Sequence, residues 1–369
     1  PRKLHSFLPC KGRRTPLWLK IQKEEIQMRN LKRALSLALA AIMLIGMMVV
    51  SASAVSYNDL TDKDQIVNKD AVSMLVSLGI IEGKPDGSYA PTENVDRAQM
   101  AKMLSVIMNK GVDNSALYQS VNSGLVDVNT NWAKGHINYC YTTGIIAGRG
   151  NGTFDPSATV TALEAAKMLL VAVGYDPKIE GFEGADWAIN VSVRADEQGI
   201  FEGFTKDLSA PLNRDDAALL IYNALDVEMI QSYTTNNYPI VYSDHRTILS
   251  DKYGVIKVEG VVTANEWAIL DDDTDTALQE GKTRIYNPDG ILSTTGNTAV
   301  AQDSSANVKT QVFNVSTPVD MLGKAVTMYV KKTTILADST VYGAPVVSDV
   351  NTVVVVVDDG QGGALHVHD

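Results

Sequence analysis

Arg97 and Arg214 stand where a positive side chain is poorly placed for helix stability. Each follows by one position a residue of helix-capping type, Asp96 and Asn213, and so falls in a first helical turn, where the macrodipole already presents its positive end. Two kinds of chemistry account for that placement. A guanidinium fork beside free backbone N–H groups makes a carboxylate site; in an acidic chain, an interface ion pair does equally well. Lys84 and Arg149, in glycine-rich loops, either lend charge to neighbouring grooves or are solvated loop charges. Trp132 and Trp187 carry indoles that stack on sugar faces, although their apolar neighbours at helical spacing favour core positions. Asp59 and Asp127, just ahead of first helices, read as caps or loop organisers before ligand contacts.

Patterns for catalysis and cofactors fail on spacing. Gly281-Lys282-Thr283 imitates the end of a phosphate loop, but the earlier glycine position is Thr276. Asp271, Asp273 and Asp275 imitate a calcium loop, yet its glycine position is also Thr276 and its twelfth position is Lys282. Gly148, Gly150 and Gly152 lack dinucleotide spacing. His366 and His368 would share a strand face, with Asp369 next to them at the last residues, too little for a metal site, and acids are too frequent to single out glycosidase carboxylates. No enzyme activity, cofactor or metal is expected.

The first residues are set apart from the fold. Residues 1–27 precede Met28 without a clear pattern and read as upstream sequence. Residues 28–54 read as a secretory signal: Arg29, Lys32 and Arg33, a 17-residue apolar run from Ala34 to Val50, then Ala52-Ser53-Ala54. That segment implies export, with no membrane anchor once it is cleaved. Residues 1–54 hold 10 of the 32 Lys+Arg and 2 of the 43 Asp+Glu, which leaves 55–369 at 22 against 41, a formal −19. Such acidity argues against nucleic acid and suits a self-repelling surface protein. Cys140 alone remains, so packed cores rather than disulfides must hold the fold; on an apolar helix face it reads as a small buried hydrophobe.

The chain repeats itself. Gly79-Ile80-Ile81-Glu82-Gly83 recurs as Gly144 to Gly148 and as Gly199 to Gly203, at spacings of 65 and 55. A proline stands eight residues beyond each closing glycine: Pro91, Pro156 and Pro211. Val67, Trp132 and Trp187 lie 12 residues before each opening glycine. Each unit reads as helix, loop, helix. Trp132, Ala133, His136, Ile137, Cys140 and Tyr141 fall on one helical face ended by Gly144, and a second helix begins at Asp96, Thr161 or Asn213 with Gln99, Glu164 or Asp216 three residues on, the pattern of a capping box. Units are expected over 55–110, 111–176 and 177–228.

These residues resemble the surface-layer homology domain. The matching stretches are Tyr57-Asn58-Asp59, Trp132-Ala133, Gly144 to Gly148, Phe154-Asp155-Pro156 and Asp96-Arg97-Ala98-Gln99, and the resemblance covers roughly 55–228. It implies a pseudo-threefold helical assembly whose grooves bind a secondary cell-wall polysaccharide attached to peptidoglycan, commonly one bearing pyruvate ketals. Arg97, Arg214, Trp132, Trp187, Lys84, Arg149, Asp59 and Asp127 are the residues to which that role carries over. The second unit departs from the family pattern with Ala162 at the arginine position, leaving at most two arginine-based pockets.

Residues 229–369 change to β-branched alternation. Gly254–Val262, Trp267–Leu270, Val312–Val315, Val326–Val330 and Thr352–Val357 read as strands, Asn287 to Gly290 and Asp358 to Gly360 as turns, and Ser293 to Asn307 as a long loop. The expected fold is therefore multidomain α plus β, three helix-loop-helix units followed by an antiparallel β domain for which a barrel is one form. The five-valine run Val353–Val357 ends 12 residues before the last residue, which points to a longer reading frame. The expectation is a secreted structural protein anchored non-covalently to the cell wall, with self-association in a surface layer. A wall-anchored polysaccharide hydrolase and a wall-anchored adhesin are the alternatives.

Overall fold

The computed structural model describes residues 57–270, 277–288, 290, 309–331 and 340–348. The signal segment, the 271–275 acids, the 293–307 loop, the 352–357 strand with its following turn, and the terminal histidines lie outside the described residues.

Among the described residues, six α-helices come first: α1 Lys69–Ser77, α2 Arg97–Met108, α3 Lys134–Thr142, α4 Ala162–Val173, α5 Trp187–Glu197 and α6 Arg214–Leu225. The expected starts of α2, α4 and α6 are the observed ones. Asp96 and Thr161 close reciprocal capping boxes with Gln99 and Glu164, whereas Asn213 accepts from the Asp216 N–H at 2.8 Å without a returned bond. The aspartate is a methylene too short to reach back, and its carboxylate takes Lys206 instead. Gly79, Gly144 and Gly199 sit at φ +69°, +79° and +70°, the left-handed geometry that ends a helix at little cost only for glycine.

Each first helix packs against the second helix of a neighbouring unit: α3 on α2, α5 on α4 and α1 on α6. A ring of three main-chain bonds closes the arrangement. The Val95 N–H donates to Leu212 O at 2.8 Å, Leu212 to Val160 at 2.8 Å, and Val160 to Val95 at 2.9 Å; all three residues are buried. No unit buries its apolar face alone, so helices nearly 150 residues apart are coupled, as the Asn68 N–H shows by donating to Asp215 Oδ1 at 3.2 Å. The prolines do not align in space as they do in sequence. Pro91 O and Pro156 O accept from the second residues of α6 and α2, while Leu208 O, not Pro211 O, accepts from Leu163 of α4 at 3.1 Å.

Two residues assigned to the buried face of α3 are exposed. Trp132 precedes the helix and is 58 % exposed, and Tyr141 is 36 % exposed; Ala133, His136, Ile137 and Cys140 form the buried face. His136 lies between α3 and α2 with Nδ1 2.6 Å from Ser105 Oγ. That hydroxyl also lies 2.9 Å from Lys102 O, and His136 Nε2 faces the Asp113 carboxylate at 3.6 Å. Burial holds the His136 pKa below its ordinary 6.5; Asp113 opposes the shift and Lys102 adds to it. On acidification the unfolded chain therefore takes up the proton first, so the stability held by the neutral ring is complete above about pH 6.5 and is lost as the pH falls below that value. His136→Gln is expected to flatten the melting temperature against pH below about 6.5, and a profile as steep as the wild type's would refute the assignment.

The second part holds a hairpin, β1 Ile230–Tyr233 and β2 Pro239–Val241, and an antiparallel five-stranded sheet: β3 Val255–Asn265, β4 Thr283–Tyr286, β5 Thr310–Phe313, β6 Ala325–Lys331 and β7 Val341–Val347, in the order β5-β4-β3-β6-β7. Helices and antiparallel sheets make the chain α plus β. The sheet is open among the described residues, so the barrel is not formed there. Trp267–Leu270 is shorter in pairing than a full strand: Asn265 Oδ1 accepts the N–H groups of Trp267 and Ala268 at 3.0 and 3.1 Å and bends the chain, after which Ile269 alone bridges antiparallel to Ala264 of β3. One sheet face packs Ile256, Val258, Val262, Ile285, Phe313, Val326, Met328 and Val330 in its own cluster. The other gives Val255 and Tyr329 to the helical core.

Candidate functional site

The two arginines take equivalent places, each reaching across to the loop of a neighbouring unit. Arg97 donates from Nε to Phe154 O at 2.8 Å and from Nη2 to Ala147 O at 2.9 Å, and its guanidinium lies 4.4 Å from the Phe154 ring centroid. Arg214 donates from Nε to Tyr89 O at 2.8 Å and from Nη2 to Glu82 O at 3.2 Å, with Tyr89 at 4.8 Å. Main-chain carbonyls thus take donors that either reading of the sequence assigned to a carboxylate. Arg97 is 4 % exposed; burial, then the Arg149 charge, pulls its pKa down to about 10, against Glu164, Asp155 and Asp127. It stays charged at neutral pH.

Beside Arg97 a cavity of about 540 Å³ opens between the 147–150 loop, α4 and the start of α5. Arg149 and Glu164 line it with Lys167, Phe182, Glu183 and Trp187. Glu164 is shared: Oε2 accepts from the Thr161 N–H at 3.2 Å, while Oε1 meets Arg149 Nη1 at 2.8 Å and lies 3.8 Å from Arg97 Nη1. Lys167 Nζ lies 5.6 Å from the Trp187 ring centroid, within cation–π range. Burial lowers the Lys167 pKa, with Arg97 adding to the shift and Glu183 and Glu164 opposing it. Three cations, two acids and one indole leave the groove with an excess positive charge inside an acidic chain, a setting for an anionic ligand with a flat apolar face.

Aspartates organise the loops. Asp127 accepts from the Phe154 N–H at 2.9 Å and the Asp155 N–H at 2.7 Å; burial opposes its charge, but these donors outweigh it and hold the carboxyl below the usual range. The same task in the first loop falls to Asp62, which accepts from Tyr89 and Ala90 at 2.7 and 2.8 Å. Asp59, the position read from the sequence, is exposed in the 3₁₀ turn Tyr57–Asp59. Near Arg214, Lys84 pairs with Glu93 at 2.6 Å and Lys102 with Glu82 at 3.3 Å, and Trp132 meets His136 edge-on at 6.3 Å. At the third such position Ala162 is fully buried.

Sequence reading missed Lys167. A signal existed: Lys102 and Lys167 both stand six residues after their caps, Asp96 and Thr161. Among the described residues no group of three His, Cys, Asp or Glu could hold a metal, and no helix is long and apolar enough to cross a membrane.

The sequence model of the S-layer homology domain matches residues 56–101 and 126–166; α5 and α6 lie outside both matches. A cell surface protein of Thermoanaerobacter kivui is 27 % identical over 72 % of this chain and 32 % of its own length. An S-layer protein of Bacillus licheniformis is 33 % identical over 31 % of this chain and 12 % of its own. Exoglucanase XynX of Acetivibrio thermocellus is 28 % identical over 48 % of this chain and 17 % of its own. The chain spans a third or less of each of these relatives.

Proposed function

We propose, from the match of residues 56–101 and 126–166 to the S-layer homology domain, that the helical part is a wall anchor holding a secreted surface protein non-covalently to the bacterial cell wall. Its ligand is an anionic secondary cell-wall polysaccharide attached to peptidoglycan, one whose carboxylates, as in pyruvate ketals, enter the groove of Arg97, Arg149 and Lys167 while a sugar face lies on Trp187. The observation that carries this reading is the convergence of those three cations and an indole on one open cavity in a segment of formal charge −19. The three helix pairs act as three units around the ring of main-chain bonds, and the displayed protein associates with copies of itself in a surface layer.

Co-sedimentation with isolated sacculi tests the reading. The chain is expected to pellet with sacculi that keep their wall polysaccharide and to stay in solution with sacculi stripped of it; equal pelleting with both would refute the ligand. The likeness to the exoglucanase over 48 % of this chain favours a second reading, in which the same anchor carries a polysaccharide hydrolase. Soluble sugar released from the sacculi during the incubation would mark that outcome.

A further inference from the structure

The groove already contains an anion. Glu164 Oε1 sits 2.8 Å from Arg149 Nη1 and 3.8 Å from Arg97 Nη1, so a ligand carboxylate directed at the same forks meets a carboxylate in place. Capping does not require that charge. In α2 the equivalent position is Gln99, whose Oε1 accepts the Asp96 N–H at 3.0 Å while the Gln99 N–H donates to Asp96 Oδ1 at 2.7 Å, a complete box built with a neutral amide. The acid in α4 therefore does something the amide in α2 does not: with Asp155, 3.9 Å from Arg149 Nη2, it offsets the charge of the guanidinium forks, and of the two it alone lines the groove, where it would compete with an entering anion.

We propose that Glu164 is a built-in counter-anion that sets how tightly the groove holds its anionic ligand, the ligand displacing it from Arg149 on binding. The proposal rests on the wall-anchor reading above. An ion pair made inside the free protein and lost on binding subtracts from affinity, and the remaining repulsion between two carboxylates at one guanidinium adds to that subtraction. Removing the charge while keeping the shape returns both.

The test uses the full chain and isolated sacculi carrying their wall polysaccharide, with Kd taken from sedimentation curves. Glu164→Gln is expected to keep the wild-type melting temperature and to tighten binding roughly three- to tenfold. Glu164→Ala, which also gives up the returned cap bond, is expected to tighten in the same direction at some cost in stability. Binding that is unchanged or weaker in both variants overturns the proposal, since Glu164 would then be holding Arg149 in its productive position. The variant with both Arg149 and Lys167 changed to Ala separates the two levels: if it binds as tightly as the wild type, the groove reading itself fails, whereas if it binds weakly while Glu164→Gln gains nothing, only the counter-anion is refuted.

Discussion

Replacing Arg149 and Lys167 together by alanine is expected to weaken binding to sacculi by roughly 10- to 100-fold, on the basis of charged hydrogen bonds worth about 1.5–3 kcal/mol before screening. The fold should be unaffected. Both side chains are partly exposed, and neither is seen to donate to a main-chain carbonyl. Salt should reproduce only part of the loss, because a groove-bound pair is screened less than charges farther apart than a Debye length of about 8 Å. Sedimentation curves at two ionic strengths measure both effects, and wild-type binding by the double variant would remove the groove from the mechanism.

Arg97 is a poorer handle on the same question. From the sequence alone it belongs either to a ligand or to an ion pair, and its removal looks harmless to the fold. The structure instead has it 4 % exposed and donating to Phe154 O and Ala147 O. Arg97→Ala would leave two carbonyls without their donor and a gap beside Phe154, so lost binding could not be separated from a loosened loop.

That difference shows what the sequence can reveal. Helix starts and stops were legible because a cap, its partner three residues on and a glycine are local signals. Which unit a side chain reaches was not. Arg97 spans 57 residues to Phe154 and Arg214 spans 125 to Tyr89, and nothing in a single unit records that its first helix packs on another unit's second. Trp132 was assigned to a buried face by spacing, but it precedes α3 and is turned outward. Strand β7 was hidden because Gly343 and Pro345 interrupt its alternation, and β4 because four residues with a central arginine make a weak signal.

The helical and sheet parts are further joined through buried contacts that no local pattern foretells, and they set the second large expectation. Tyr329 of β6 is 7 % exposed and meets Tyr222 of α6 edge-on at 5.8 Å between centroids. Close by, Lys257 of β3 faces Asp226 at 3.6 Å; Tyr253 OH donates to Ile107 O of α2 at 3.3 Å, and β7 passes so near α1 that a Cβ on Gly343 would lie 3.6 Å from the Met74 main chain. Tyr253, Val255 and Tyr329 belong to the same core cluster as the helix-to-helix seams, so truncating Tyr329 should weaken the helical part as much as the sheet that carries the residue. Tyr329→Ala is expected to cost about 3–5 kcal/mol, as large aromatic truncations in cores do, and to lower the melting temperature by roughly 10 °C for a unit of this size. Helical and aromatic circular dichroism should still melt together, because opening the junction exposes apolar surface on both sides. A helical signal that keeps the wild-type midpoint while the aromatic signal melts early would show instead that the helical part folds without the sheet, and the shared core would then be contact without coupling.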